Sequence, residues 1–294
     1  MVLRKKKEKS IERILFLAAA ATVLITIGIV AVLFFEGLDF FRQVSLWDFL
    51  TDPEWTPLFT QKHFGIMPLL MGTLLTSFIA IAVALPIGLS IAIYLNEYAP
   101  KGLRKVVKPL LELLAAVPTV VYGFFALMVV TPFLQSIFPG IAGFNALSAG
   151  IVMGIMIIPF ISSMSEDALF AVPKSLREAA YGLGSTKLQT SFKVTLPAAS
   201  SGVVVSVILA ISRAIGETMI VAIAAGQQPR LTLDPTVPIE TITAYIVQVS
   251  LGDVPHGSLE YKTIFAAGLT LFAFTFLLNN ISFWVKKKYS QRYE

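Results

Sequence analysis

Uninterrupted apolar runs of about 20 residues recur along this chain, and no other feature constrains its fold as tightly. Wound as a helix rising 1.5 Å per residue, each run crosses about 30 Å of hydrocarbon. Six spans are predicted, at 13–35, 68–95, 107–132, 147–168, 197–225 and 262–285. Composition agrees: 56% of the 294 residues are hydrophobic and 14% are charged, where a soluble domain carries about a quarter charged. The expectation is an all-α integral membrane protein. With no cysteine in the chain, disulfides and thiolate metal sites are excluded. The two histidines, His63 and His256, fall in separate loops, so no metal site is expected.

Charge then sets an orientation. Basic residues cluster in the amino-terminal "RKKKEKSIER", in the loop after span 2 (Lys101, Arg104, Lys105, Lys108), in the loop after span 4 (Lys174, Arg177, Lys187, Lys193) and in the tail (Lys286, Lys287, Lys288, Arg292). Only Arg42, Lys62, Arg230 and Lys262 fall on the other side, and Arg213 lies within a span. The positive-inside rule puts both termini in the cytoplasm. The net charge of +5 is then topological and gives no support to nucleic-acid binding. The first apolar run has no small-residue cleavage site after it and is expected to stay as a signal-anchor.

The chain divides into a basic segment 1–12, a first span with its periplasmic loop 13–67, a transmembrane core 68–285 and a tail 286–294. In the first outer loop Trp47 and Trp55 are expected at the interface. In the second, 226–261, Ile239, Ile242, Ile246 and Val249 recur at helical spacing and predict a short helix lying at the outer surface.

The loop 172–197 is built differently. Ser175 and Glu178 have the spacing of a capping box. Gly182 and Gly184 follow as a left-handed exit, a second helical stretch runs over about 185–193, and Leu196-Pro197 opens span 5. The result is a two-part elbow whose apolar face holds Leu176, Ala179, Ala180, Leu183, Leu188 and Phe192. Physical chemistry alone permits two roles: an amphipathic helix resting on lipid, or a knob seated in a groove of a soluble partner.

"EAAYGLGSTKLQTSFKVTLP" resembles the EAA signature of permease subunits in binding-protein-dependent ABC importers, departing only at Val194, where Ile is usual. The resemblance implies six membrane helices with a cytoplasmic coupling-helix loop, the type I ABC importer permease fold. It assigns ATPase coupling to Glu178, Ala179, Ala180, Gly184, Leu196 and Pro197. "GLGSTK" is not a phosphate-binding loop, because Walker A requires Gly-Lys-Ser/Thr in that order. ATP and Mg therefore belong to a partner ATPase. No cofactor and no enzymatic activity are expected of this chain.

Within span 5, "SRAIGETM" places Arg213 and Glu217 four residues apart, on one face of a continuous helix. A charge at mid-span costs roughly 2.5–3.5 kcal/mol. The pair is either a buried intrahelical ion pair or, with Ser212 and Thr218, part of a translocation path, where a guanidinium fork suits an oxyanion. Glu112 is read as lying near the cytoplasmic interface. Pro86, Pro118 and Pro159 interrupt three spans, and Gly150 and Gly154 form a small-residue packing face.

"FGIMPLLMGTLLTS", "IYLNEYAP", "AAVPTVVYG", "IIPFISSMSEDAL" and "SRAIGETM" are similar to the PstC-type permeases of high-affinity phosphate importers. That implies a heterodimer with a sister permease, two cytoplasmic ATPase subunits, a periplasmic phosphate-binding protein, and a home in the bacterial inner membrane. Open alternatives are a permease for phosphonate, molybdate or sulfate, and the sister permease itself. An ion-coupled transporter or a membrane enzyme leaves the elbow unexplained.

Overall fold

The computed structural model describes residues 2–289, so Arg292 lies outside the described residues. The chain is built from helices α1 (Val2–Phe41), α2 (Leu46–Thr51), α3 (Met67–Ile93), α4 (Lys101–Ala115), α5 (Thr119–Phe125), α6 (Thr131–Ile137), α7 (Ala146–Phe170), α8 (Lys174–Gly182), α9 (Lys187–Thr190), α10 (Leu196–Ala198), α11 (Ser200–Ile215), α12 (Met219–Ala224), α13 (Ile242–Leu251) and α14 (Leu259–Tyr289). Three wide π turns extend or join them, at Tyr94–Tyr98, Ala126–Val130 and Ser191–Thr195. Such turns interrupt the regular hydrogen-bond ladder and are frequent at functional sites.

Among the described residues five helical stretches are long and apolar enough to cross a membrane: Ile11–Phe41, Met67–Tyr98, Thr119–Ile137, Ala146–Phe170 and Leu259–Val285. A sixth is broken, with Lys187–Ala198 and Ser200–Ile215 meeting at 72°. Two predicted spans therefore need correction. The third does not begin near residue 107, because 101–115 is a separate amphipathic helix that turns Val106, Leu110 and Leu113 outward. Pro118 starts the span afresh: its fixed φ suits a helix entrance and it has no N–H to continue α4. The fifth does not run straight from 197 to 225 but breaks at Ala199 and again at 216–218.

The centre of the bundle is the α3–α7 crossing, the most extensive helix pair in the chain. Its closeness depends on glycine. A Cβ on Gly150 would sit 2.7 Å from Ile79 Cβ, and one on Gly154 would sit 2.8 Å from the Ala80 carbonyl oxygen. From the facing helix, a Cβ on Gly88 would meet Ile161 Cβ at 3.0 Å. Without side chains at these points the backbones approach closely, and packing replaces the hydrophobic drive that lipid does not supply. Around this seam Ala80, Ala84, Val152, Met156, Ile157 and Ala210 are buried. The same device joins α1 to α14, where a Cβ on Gly268 would meet Leu33 at 3.0 Å.

At one end an aromatic cap closes the bundle. Phe40, Phe49, Trp55 and Tyr245 pack edge to face, Trp55 and Tyr245 with ring centres 5.0 Å apart. Trp47 is exposed as expected, but Trp55 is only 2% exposed and belongs to this cap, not to an interfacial belt. Nor does α13 lie on a surface: Ile242, Tyr245 and Val249 are buried between α3, α12 and α14. Lys262 pairs with Asp39 and Lys62 with Glu260, tying α1 and the first long loop to α14.

Gly154→Val forces a branched side chain into the α3–α7 seam and is expected to cost about 1–3 kcal/mol or more. Thermal unfolding in detergent checks this. Gly102→Ala, at a position whose added Cβ meets nothing within 4 Å, is expected to leave the transition within about 0.5 kcal/mol.

Candidate functional site

Two regions carry the residues singled out from the sequence: the elbow, and the break in the fifth span. The elbow begins at Pro173, whose extended backbone (φ −56°, ψ 138°) launches α8 with no side-chain cap. The helix starts at Lys174, one residue ahead of Ser175, so the expected Ser175–Glu178 capping box does not form. The capping box in this loop is at Thr186, which accepts from Gln189 N while the Gln189 side chain accepts from Thr186 N.

Between the two halves the chain turns through a Schellman motif. Ser185 N donates to Ala180 O and Gly184 N to Tyr181 O, at 3.1 and 2.9 Å. This geometry requires a left-handed residue, and Gly184 supplies it with φ +83°; Gly182 remains within the helix. The predicted apolar face then divides. Leu176 turns inward onto the cluster of Ala92, Ile93, Leu169, Val172 and Val203, and Ala180 is buried. Leu183, Leu188 and Phe192 turn outward, with Leu183 89% exposed at the tip. Glu178 and Ala179 are also exposed, beside this knob. Leu196 packs inward and Pro197 opens α10 immediately before the 72° bend.

An ionic mount holds the elbow to the bundle. Arg177 donates to the Leu169 carbonyl at 2.7 Å and lies 3.4 Å from the Glu97 carboxylate, so α8 is fastened to the ends of both α3 and α7. Next to it, the Glu166 carboxylate is fully buried and faces Arg104 and Lys108 of α4, with Lys108 Nζ 2.9 Å away. Lys108 also reaches Asp167 at 2.9 Å. Hydrogen bonds to Asp167 and Glu166 hold its ammonium above the ordinary lysine range. These residues were not singled out from the sequence. The signal was there: Glu166-Asp167 is an acidic pair at the end of a membrane-length helical run, and Arg104 and Lys108 stand four apart on one helical face.

The "RAIGET" segment does not form the predicted i, i+4 pair, because the helix stops between its members. Gly216 ends α11, and the Glu217 carboxylate folds back to accept from Met219 N and Ile220 N at 3.2 and 3.3 Å, capping α12. These two N–H groups at the helix start give the buried carboxylate hydrogen-bond partners in place of an arginine. The Glu217 carbonyl in turn accepts from Thr243 Oγ1 at 2.6 Å, so α13 closes over the break. Thr218 is the N-cap residue, its hydroxyl turned to the Gly216 carbonyl, while Ser212 faces Asn279 of α14. Arg213 faces a different way, into a cavity of about 220 Å³ between α4, α7 and α11 that it shares with Glu112, Ser163 and Pro159. The structure thus separates Arg213 from Glu217, Ser212 and Thr218, and brings it to Glu112 and Ser163.

A bundle of membrane-length helices, one of them broken beside proline and again at glycine, with an elbow mounted at one end, is the arrangement to be compared with known proteins. The sequence profile described as "Binding-protein-dependent transport system inner membrane component" matches residues 84–293, and the chain belongs to that family. It is 38% identical over 280 residues to the "Phosphate transport system permease protein PstC" of Mesorhizobium japonicum, covering 89% of this chain and 84% of that protein. It is 35% identical over 266 residues to the "Probable ABC transporter permease protein YqgH" of Bacillus subtilis, covering 90% of this chain and 84% of that protein. Among solved structures, a chain of a bacterial alginate ABC transporter in complex with an alginate-bound periplasmic protein matches 95% of this chain and 96% of its own, with a TM-score of 0.63 and 18% identity. That likeness fixes the fold as the type I importer permease arrangement.

Glu166→Ala leaves Arg104 and Lys108 facing a buried position without its carboxylate. It is expected to cost about 3–5 kcal/mol, seen as a lower unfolding temperature in detergent and faster proteolysis within 101–115. Asp167→Asn, at a side chain 65% exposed, is expected to cost about 1 kcal/mol at most.

Proposed function

We propose that this chain is one of two permease subunits of an ATP-driven importer that carries inorganic phosphate inward across the bacterial plasma membrane. The observation that carries the reading is the 38% identity with a phosphate transport permease across 89% of this chain. The geometry of Arg213 agrees: its guanidinium, which forms no ion pair among the described residues, faces a cavity it shares with Glu112 near the break in the fifth span, and its planar fork can hold two oxygens of a tetrahedral oxyanion. A second permease of the same family completes the path from the opposite side.

In this reading the termini and the elbow are cytoplasmic, and two ATPase subunits bind ATP and Mg. Leu183 and its exposed neighbours seat in a cleft of one ATPase, with Glu178, Ala179 and Gly184 shaping the knob and Leu196-Pro197 its root. Movement of the ATPase swings α8. Arg177 passes that movement to the ends of α3 and α7, and the bend at Ala199 converts it into a rotation of α11 and hence of Arg213. A periplasmic phosphate-binding protein delivers substrate to the opposite face.

The test is uptake of radiolabelled phosphate by cells lacking their own phosphate importer, supplied with this chain, its sister permease, ATPase and binding protein. Uptake is expected to need this chain and to resist competition by sulfate, molybdate and phosphonate. Arg213→Gln is expected to reduce uptake to background while the complex still assembles. Glu178→Lys is expected to do the same by weakening the ATPase joint. Uptake of a competing oxyanion in place of phosphate overturns the substrate; undiminished uptake in both variants overturns the assigned roles.

A further inference from the structure

At the end of the bundle opposite the elbow, the first long loop and the segment before α13 enclose a cavity of about 270 Å³. Its wall includes Trp55, Phe59, Gln228, Glu240, Tyr245 and Gln248. One buried polar atom in this wall, Glu240 Oε1, has no hydrogen-bond partner among the described residues. The Glu240 side chain cannot easily withdraw. Its own carbonyl presses on α3 so closely that a Cβ on Gly72 would lie 2.1 Å away, and the next two residues are pinned by Ile242 N donating to Thr73 Oγ1 at 3.1 Å. A 2%-exposed carboxylate with a free oxygen is costly unless a proton or a cation answers it. Burial accordingly pushes the Glu240 carboxyl up to about 8.

The surroundings select the cation. Trp55 and Tyr245 present aromatic surface, which attracts a desolvated guanidinium or ammonium. The two loop regions that frame the cavity, 36–67 and 226–262, carry nine carboxylates against four basic side chains, so the whole face attracts a basic surface and repels free anions. We infer that this cavity is a docking pocket for one lysine or arginine side chain of the soluble binding protein, with Glu240 as its counter-charge. The inference rests on the reading of the chain as an importer permease whose outer face receives that protein. Exposed Phe59 and Leu58 stand near the pocket as the apolar contact around a buried charge pair.

The experiment measures the affinity of the purified, phosphate-loaded binding protein for the assembled complex in nanodiscs. Glu240→Gln keeps the shape and removes only the charge; it is expected to weaken binding at least about tenfold, without loss of assembly. Alanine replacement of each Lys and Arg on the binding protein is expected to reveal one whose effect vanishes in the Glu240→Gln complex. Unchanged affinity in that variant overturns the inference while leaving the importer reading intact. Loss of the sister permease from the complex also overturns it, since the pocket then belongs to the permease pair. A wild-type complex that binds no loaded binding protein overturns the importer reading and takes the inference with it.

Discussion

Three glycines at the α3–α7 crossing decide how near two backbones come inside the membrane, and the rest of the molecule is hung on that distance. Gly88, Gly150 and Gly154 leave no side chain between the helices, so dispersion contacts act at full depth along the seam. The far ends of the same helices then stand close enough to share a load. Glu97 leaves α3 and Glu166 leaves α7; between them Arg177 fastens the elbow, while Arg104 and Lys108 fasten α4. A wider crossing would part Glu97 at the end of α3 from the Leu169 carbonyl of α7, the two groups that Arg177 reaches together. Packing at the centre and charge at the end therefore support one another.

Movement needs the opposite property, and the fifth span provides it. It is broken at Ala199 and again at 216–218, and each break has its freed polar groups answered locally. Gly216 and Glu217 receive or donate within the turn, Glu217 caps α12, and Thr243 closes over the carbonyl. In the proposed transport cycle, a segment so stitched rotates as a unit between its neighbours. The π turn at Ser191–Thr195 adds a further point of give just above the elbow.

Helix content and four of the six spans were legible because apolar runs of that length admit few other structures. Gly150 and Gly154 were legible as a packing face, and Gly184 as a left-handed exit, since in each case glycine's missing side chain is the physical reason. The Ser175–Glu178 cap does not form, because spacing does not reveal that Pro173, two residues earlier, caps the helix. The Arg213–Glu217 pair misled for a deeper reason. Periodicity assumes an unbroken helix, and the break at Gly216 gave Glu217 two backbone N–H partners that outcompete a distant guanidinium. Glu166 and Glu240 were overlooked because each stands among serines, threonines or prolines, where a carboxylate does not look buried. Their partners, or the lack of them, arise from parts of the chain far away in sequence.

The central claim is that the elbow is a joint to a soluble ATPase and not a helix resting on lipid. Because the chain contains no cysteine, Leu183→Cys at the exposed tip introduces a single reactive thiol. The decisive measurement is disulfide cross-linking of that thiol, in the assembled complex, to cysteines placed in turn along the ATPase surface, with a lipid-soluble thiol reagent as competitor. The account predicts one confined cluster of cross-links in an ATPase cleft and protection from the lipid-phase reagent. Ready labelling from the lipid phase, with no cross-link to the ATPase, would contradict it.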